Sequence, residues 1–155
     1  MKIRIAAVGR LRSSAEGELV ADYVTRFNRI GRPIGLGPME IVEVEARKSG
    51  MDEEAALLEK SCVGSRPVIL LDERGKTLSS PEFANQLAHW RDDSAPHACF
   101  LIGGADGLSP SLHGLADEKL SLGKMVWPHM LARVMLVEQL YRAASILAGT
   151  PYHRQ

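Results

Sequence analysis

The chain has 155 residues, 45% hydrophobic and 25% charged, with 19 Lys and Arg balanced by 19 Asp and Glu. This composition excludes general disorder, and the length suits a single domain, residues 1–155, with its own core. No apolar run approaches the roughly 18–20 residues of a membrane span. Arg4 interrupts the apolar start, so no signal peptide is expected, and zero net charge argues against a purely electrostatic nucleic-acid binder.

Lys2–Val8 alternates charged and apolar residues before Gly9 and reads as a strand. Ser13 or Ser14 can cap a helix to about Asn28, with Leu19, Tyr23, Val24 and Phe27 on one face. Gly31, Pro33, Gly35, Gly37 and Pro38 make a loop, and Met39–Val44 is a second strand. A helix follows around Asp52–Lys60, with Asp52 as its cap. Pro67–Leu71 is wholly apolar, as a strand buried on both faces should be, and Asp72–Gly75 reads as a turn. Ser80 is the expected cap of the next helix, with Pro81 at its first position and Phe83, Leu87 and Trp90 sharing a face.

Ala98–Ile102 is another buried strand and runs straight into Gly103–Gly107. Ser109 and Pro110 open a short helix, Lys119–Leu122 is a last strand, Gly123–His129 a loop, and Met130–Ala148 the longest helix. Strands alternating with helices predict an α/β fold with a mostly parallel sheet flanked by helices. Ligands of such sheets bind beyond the carboxyl ends of the strands, which directs attention to Leu71–Gly75, Gly103–Leu108 and Gly123–His129.

Charge is uneven along the chain. Residues 1–32 carry Lys2, Arg4, Arg10, Arg12, Arg26, Arg29 and Arg32 against Glu16, Glu18 and Asp22, whereas 40–60 is acidic. Of the 19 basic residues 13 are Arg, whose planar fork suits phosphate, although solvated helix faces explain the same pattern. Cys62 and Cys99 stand outside any C-x-x-C and read as reduced, partly buried thiols of a cytoplasmic protein. His89, His97 and His113 have no partner at ligand spacing, and no metal site is expected.

Gly103-Gly104-Ala105-Asp106-Gly107 matches neither the dinucleotide-binding nor the P-loop spacing, yet two glycines after a buried strand let backbone approach a flat ligand. Leu122–Pro128 is an apolar stretch of the kind an adenine ring needs. On the long helix Glu138 and Arg142 lie four apart and can pair, and Arg133 and Tyr141 fall near one azimuth. The closing Tyr152-His153-Arg154 joins an aromatic, an imidazole and a guanidinium, a set able to stack on a base and pair with phosphate. No G-x-S-x-G, H-E-x-x-H or kinase signature is present.

Taken together, LLDERGK (Leu70–Lys76), LIGGADGLSP (Leu101–Pro110), Ser121-Leu122 with Pro128-His129, RVMLVEQLYRA (Arg133–Ala143) and PYHRQ (Pro151–Gln155) resemble the RlmH family over essentially the whole chain. These are small SPOUT-class methyltransferases of bacterial large-subunit ribosomal RNA. The resemblance implies an α/β knot with a deep C-terminal trefoil, a homodimer, and S-adenosyl-L-methionine as methyl donor. It implies methylation of a pseudouridine at its imide nitrogen, N3, in helix 69 of 23S rRNA within the assembled ribosome.

Carried over position by position, Leu71, Gly103, Leu122, Gly123, Lys124, Met125, Val126 and Trp127 are the implied cofactor-binding residues. Gly123, Lys124 and Trp127 depart from some relatives, a change that backbone-mediated contacts tolerate. For the reaction itself, Arg142, His153 and Arg154 are expected to position RNA and stabilise a deprotonated base. Tyr152 stacks or orders the tail, and His129 is a further candidate nearby. A dimer would let the tail of one copy complete the site of the other. The competing expectations are a ribosome-binding factor that has lost catalysis and an enzyme of the same fold acting on another RNA.

Overall fold

The computed structural model describes residues 1–48 and 50–154; Ser49 and Gln155, the last residue of the closing motif, lie outside them. In chain order the elements are β1 (Lys2–Val8), α1 (Ala15–Gly31), a 3-10 turn (Arg32–Ile34), β2 (Met39–Val44), α2 (Met51–Ser61), β3 (Val68–Thr77), α3 (Ser80–Asp92), β4 (His97–Ile102), α4 (Pro110–Leu115), β5 (Glu118–Ser121) and α5 (His129–Ala148). The strands form one sheet in the order β2-β1-β4-β3-β5, and every neighbouring pair is parallel.

The alternation of side chains along the strands builds two cores. Ile3, Ile5 and Ala7 of β1, Ile69 of β3 and Ala98, Phe100 and Ile102 of β4 face α1, α3 and α5. Ala6, Val8, Val68, Leu70, Cys99 and Leu101 face α2 and α4. Successive residues of a strand point to opposite sides, so a central strand covered on both sides must be apolar throughout. Phe100 meets Phe83 and Trp90 edge-on, with ring centroids 6.2 and 6.3 Å away. Trimming it to Ala would cost about 3–5 kcal/mol. Both cysteines are free and buried, and burial pushes the Cys99 thiol up to about 12.

Local chemistry corrects several expected boundaries. Ser14 does cap α1, accepting from the Gly17 amide at 3.1 Å, but the helix continues to Gly31. Val20 takes the buried place expected of Leu19, which is 47% exposed. The N-cap of α2 is Gly50, and Asp52 sits inside its acidic first turn, where it favours the helix dipole. Ser79, not Ser80, caps α3. Its hydroxyl accepts from the Glu82 amide while Glu82 accepts from the Ser79 amide, so Pro81 falls at the second helical position. The last strand ends at Ser121, and α5 begins one residue earlier than expected, at His129.

The largest correction concerns Asp72–Gly75. These residues do not turn the chain back; they remain within β3 as a bulge. Leu71 and Lys76 both stand opposite Leu120 of β5, leaving the four residues between them outside the ladder. Gly75 is required there, because a Cβ would stand 2.6 Å from the Lys119 carbonyl carbon.

Candidate functional site

The bulge of β3 and the carboxyl ends of β4 and β5 open onto a cleft of about 440 Å³. Leu71 with Asp72, Glu73 and Arg74 of the β3 bulge forms one wall, residues 102–105 with Gly107 and Leu108 a second, and Leu122, Gly123, Met125, Val126 and Trp127 a third. Parallel strands put all their carboxyl ends on one side, and the connections leaving them must gather there. His129 and Ala132 from the first turn of α5 close the floor. Of the expected cofactor residues, the cleft therefore brings together Leu71, Gly103, Leu122, Gly123, Met125, Val126 and Trp127. Lys124 is exposed and does not line it.

Backbone dominates these walls. Gly103 immediately precedes a tight turn bridged between Gly104 and Gly107, and a Cβ on it would stand 2.7 Å from the Gly107 carbonyl oxygen. Gly123 adopts φ +122, a conformation that favours glycine, with nothing within 4 Å of the place a Cβ would take. The Ser121 hydroxyl donates to the Gly123 carbonyl at 2.9 Å and fixes the start of this connection. Met125 and Val126 are 72% and 80% exposed, apolar surface left uncovered in the single chain.

Sequence reasoning missed one polar wall. Asp72 and His113 both line the cleft, with His113 Nδ1 3.6 Å from Asp72 Oδ2 and the Asp72 side chain only 13% exposed. His113 is thus not isolated, contrary to expectation. The available signal was the spacing Asp72-x-Arg74, since Asp72 accepts from the Arg74 amide at 2.9 Å in an Asx turn.

The remaining candidates assemble elsewhere, around the middle of α5. Arg142 donates through Nε to Glu138 at 3.0 Å, the expected pair four residues apart. Tyr152 donates to the same Glu138 oxygen at 3.0 Å, its hydroxyl lies 3.3 Å from that of Tyr23, and its ring sits 4.8 Å beneath the Arg142 guanidinium. Burial, then these hydrogen bonds, raise the Tyr152 pKa and keep the phenol protonated. The bond to Glu138 raises that of Arg142.

Arg142 Nη1 lies 3.3 Å from His153 Nδ1. A guanidinium has no acceptor, so this contact requires Nδ1 to accept and leaves the proton on Nε2. Arg154 is exposed beyond it. None of Arg142, Tyr152, His153 and Arg154 lines the cleft, and Arg142 follows His129 by a rise of about 20 Å along the helix. Arg133, between the two groups, is fully buried.

A family model described as "Predicted SPOUT methyltransferase" matches residues 1–153. A Cereibacter sphaeroides protein described as ribosomal RNA large subunit methyltransferase H is 60% identical over 155 residues, covering 99% of each chain. A Roseobacter denitrificans protein of the same description is also 60% identical at the same coverage. The chain is a SPOUT methyltransferase of the RlmH family. Its architecture is similar to that of a probable methyltransferase from Bordetella pertussis, with TM-score 0.56 and 17% identity over 92% of this chain and 96% of that one. No helix among the described residues is long and apolar enough to cross a membrane, and no group of three or more His, Cys, Asp or Glu among them is placed to hold a metal ion.

Proposed function

We propose that this chain methylates 23S rRNA at N3 of a pseudouridine in helix 69, acting on the assembled ribosome as a cytoplasmic homodimer. The methyl donor is S-adenosyl-L-methionine, the cofactor of SPOUT methyltransferases, and it supplies a methyl group carried on a sulfonium. The observation that carries the reading is the cleft itself. It has the size of a cofactor site, and apolar side chains and glycine turns form most of its walls where the bulge of β3 meets the carboxyl ends of β4 and β5. Leu71, Gly103 and Leu122–Trp127 hold the adenosine end in this reading, with Lys124 contributing only its backbone. Asp72 and His113 offer the polar contacts.

Methyl transfer disperses charge as the new bond forms, so a dry apolar pocket and aligned reactants supply much of the rate. N3 becomes a better nucleophile on losing its proton to solvent water, and as it bonds the methyl carbon the carbon–sulfur bond would break to leave a neutral thioether. Arg142 and Arg154 place cationic donors where the imide charge develops, and His153 presents Nε2–H beside them. Tyr152 orders the tail through Glu138 and Tyr23. Among the residues expected to act on the RNA, His129 is the one that lines the cleft.

Because the tail cluster does not line its own cleft, a second copy is needed to bring the two together. Exposed Leu19, Met130 and Leu131 and a groove of about 560 Å³ between α1, α3 and α5 provide apolar surface for it. The threading of the chain into a trefoil belongs to the same reading. A net charge of zero suits recognition of a ribosomal surface better than capture of a free hairpin by counterion release.

The test is deletion of Tyr152–Gln155, with cofactor binding and methylation of intact ribosomes measured separately and the product located by nucleoside mass mapping. The expected result is a methyl group on pseudouridine with the full chain and none with the truncated one. Unchanged methylation after truncation contradicts the tail's role. A methyl group elsewhere contradicts the substrate.

A further inference from the structure

Arg133 is among the largest fully buried side chains of the molecule, at 0% exposure, and no step of the proposed reaction uses it. Its Nη2 donates to the carbonyl oxygens of Val8 at 3.1 Å and Gly9 at 3.0 Å, where β1 ends. Its Nη1 lies 3.4 Å from Glu43 Oε2 of β2. The same Glu43 oxygen accepts from the Leu11 amide at 2.9 Å. One guanidinium therefore joins the last peptide groups of β1, the connection into α1 and the side of β2.

The other end of this linkage is the cleft. Arg133 follows His129 by one helical turn and adjoins Ala132, and both of those residues form the cleft floor. Gly9, whose carbonyl Arg133 holds, is packed close to the same place: a Cβ on it would stand 3.7 Å from His129 Nε2. We propose that Arg133 is a positioning residue that clamps the first turn of α5 to the ends of β1 and β2 and so sets the floor of the cleft, His129 included. This rests on the reading of that cleft as the S-adenosyl-L-methionine site.

The chemistry favours arginine here over any other cation. Its rigid fork reaches two carbonyls and a carboxylate from one planar group, whereas lysine concentrates its charge at a single point on a flexible stem. Burial pushes the Arg133 pKa down, with Glu43 opposing, and the guanidinium remains charged at neutral pH. Stability alone is a weak reason to bury this charge, since a well-packed apolar residue serves as well or better. Placement of a particular turn against particular carbonyls is something an apolar residue does not supply.

The experiment compares the parent with Arg133→Lys, Arg133→Met and the double variant Glu43→Gln/Arg133→Met. Each is measured for melting temperature, calorimetric affinity for S-adenosyl-L-methionine, and amide hydrogen exchange. Arg133→Met takes the donor from the Val8 and Gly9 carbonyls and lowers the melting temperature, and the double variant melts close to the single one, because Glu43 reaches solvent. The clamp predicts that the double variant still binds the cofactor about tenfold or more weakly. It also predicts that segments 9–13 and 129–132 exchange about tenfold or more faster while central β4 is unchanged.

Arg133→Lys falls between parent and Met on both readouts and carries the test if the Met variants do not fold. Parent-like affinity and parent-like exchange in the folded double variant, or in Arg133→Lys, overturn the proposal. A parent that binds no S-adenosyl-L-methionine contradicts the reading of the cleft instead, and the exchange rates of the two segments then decide the clamp by themselves.

Discussion

The two halves of α5 are built for different tasks. The His129 end forms the floor of a cleft whose other walls are mostly turns of backbone and apolar side chains, with Asp72 and His113 on one side. The Glu138–Arg142 stretch carries a closed network in which one carboxylate oxygen receives both Arg142 and Tyr152. A backbone wall tolerates side-chain change so long as the turn survives, and fails abruptly when it does not. A side-chain network weakens bond by bond. Mutations at the two ends are therefore expected to separate cofactor binding from methyl transfer.

The largest effect is expected at the cleft. Gly103→Val forces a Cβ against the Gly107 carbonyl, and strain of this kind lowers S-adenosyl-L-methionine affinity by about a hundredfold in calorimetry. Lys124→Ala, in the same connection but facing away, leaves affinity within about twofold. Equal losses at the two positions would break the distinction between backbone and side-chain walls.

At the network, Arg142→Ala is expected to lower methylation of ribosomes by about a hundredfold, as removal of a donor to a developing charge does, with cofactor affinity unchanged. Tyr152→Phe deletes only the hydroxyl that bonds Glu138 and is expected to cost about tenfold in methylation, comparable to one charge-assisted hydrogen bond. A parallel fall in cofactor affinity would mean that the network also supports its own chain's cleft. The smallest effect belongs to neither end. Ser79→Ala removes the cap of α3 and lowers stability by about 1 kcal/mol in denaturant titration, leaving binding and methylation unaltered.

The central strands were legible because their pattern is local. Pro67–Leu71 and Ala98–Ile102 contain no charged residue, and only a strand covered on both faces explains such a run at that length. The continuation of β3 through Asp72–Gly75 was not legible. Its residues are turn formers, and the strand resumes past them only because Leu71 before and Lys76 after both pair with Leu120 of β5, more than forty positions away in sequence. The cap of α3 was readable and misread: two serines precede Pro81, and only Ser79 has a glutamate three positions on.

The location of the cleft followed from the rule for strand ends, and Glu138–Arg142 followed from helix spacing. The contact of Tyr152 with Glu138 depends on how the tail folds back after the left-handed Gly149, which no periodicity encodes. The burial of Arg133 had no sequence signal beyond its apolar neighbours on α5. A charged residue in such a face is expected to reach solvent, and here it reaches the end of β1 instead.

The central claim is that cleft and tail, separate within one chain, act together across two copies. Mixing tests it most directly: chains carrying Gly103→Val are unfolded and refolded together with chains lacking Tyr152–Gln155, each inactive alone, and methylation of ribosomes is measured. Random pairing in a two-fold dimer leaves one intact cleft completed by one intact tail in half of the dimers, so activity is expected to return to about a quarter of the parent's. A mixture as inactive as its components, with mixed dimers demonstrably formed, would contradict the account.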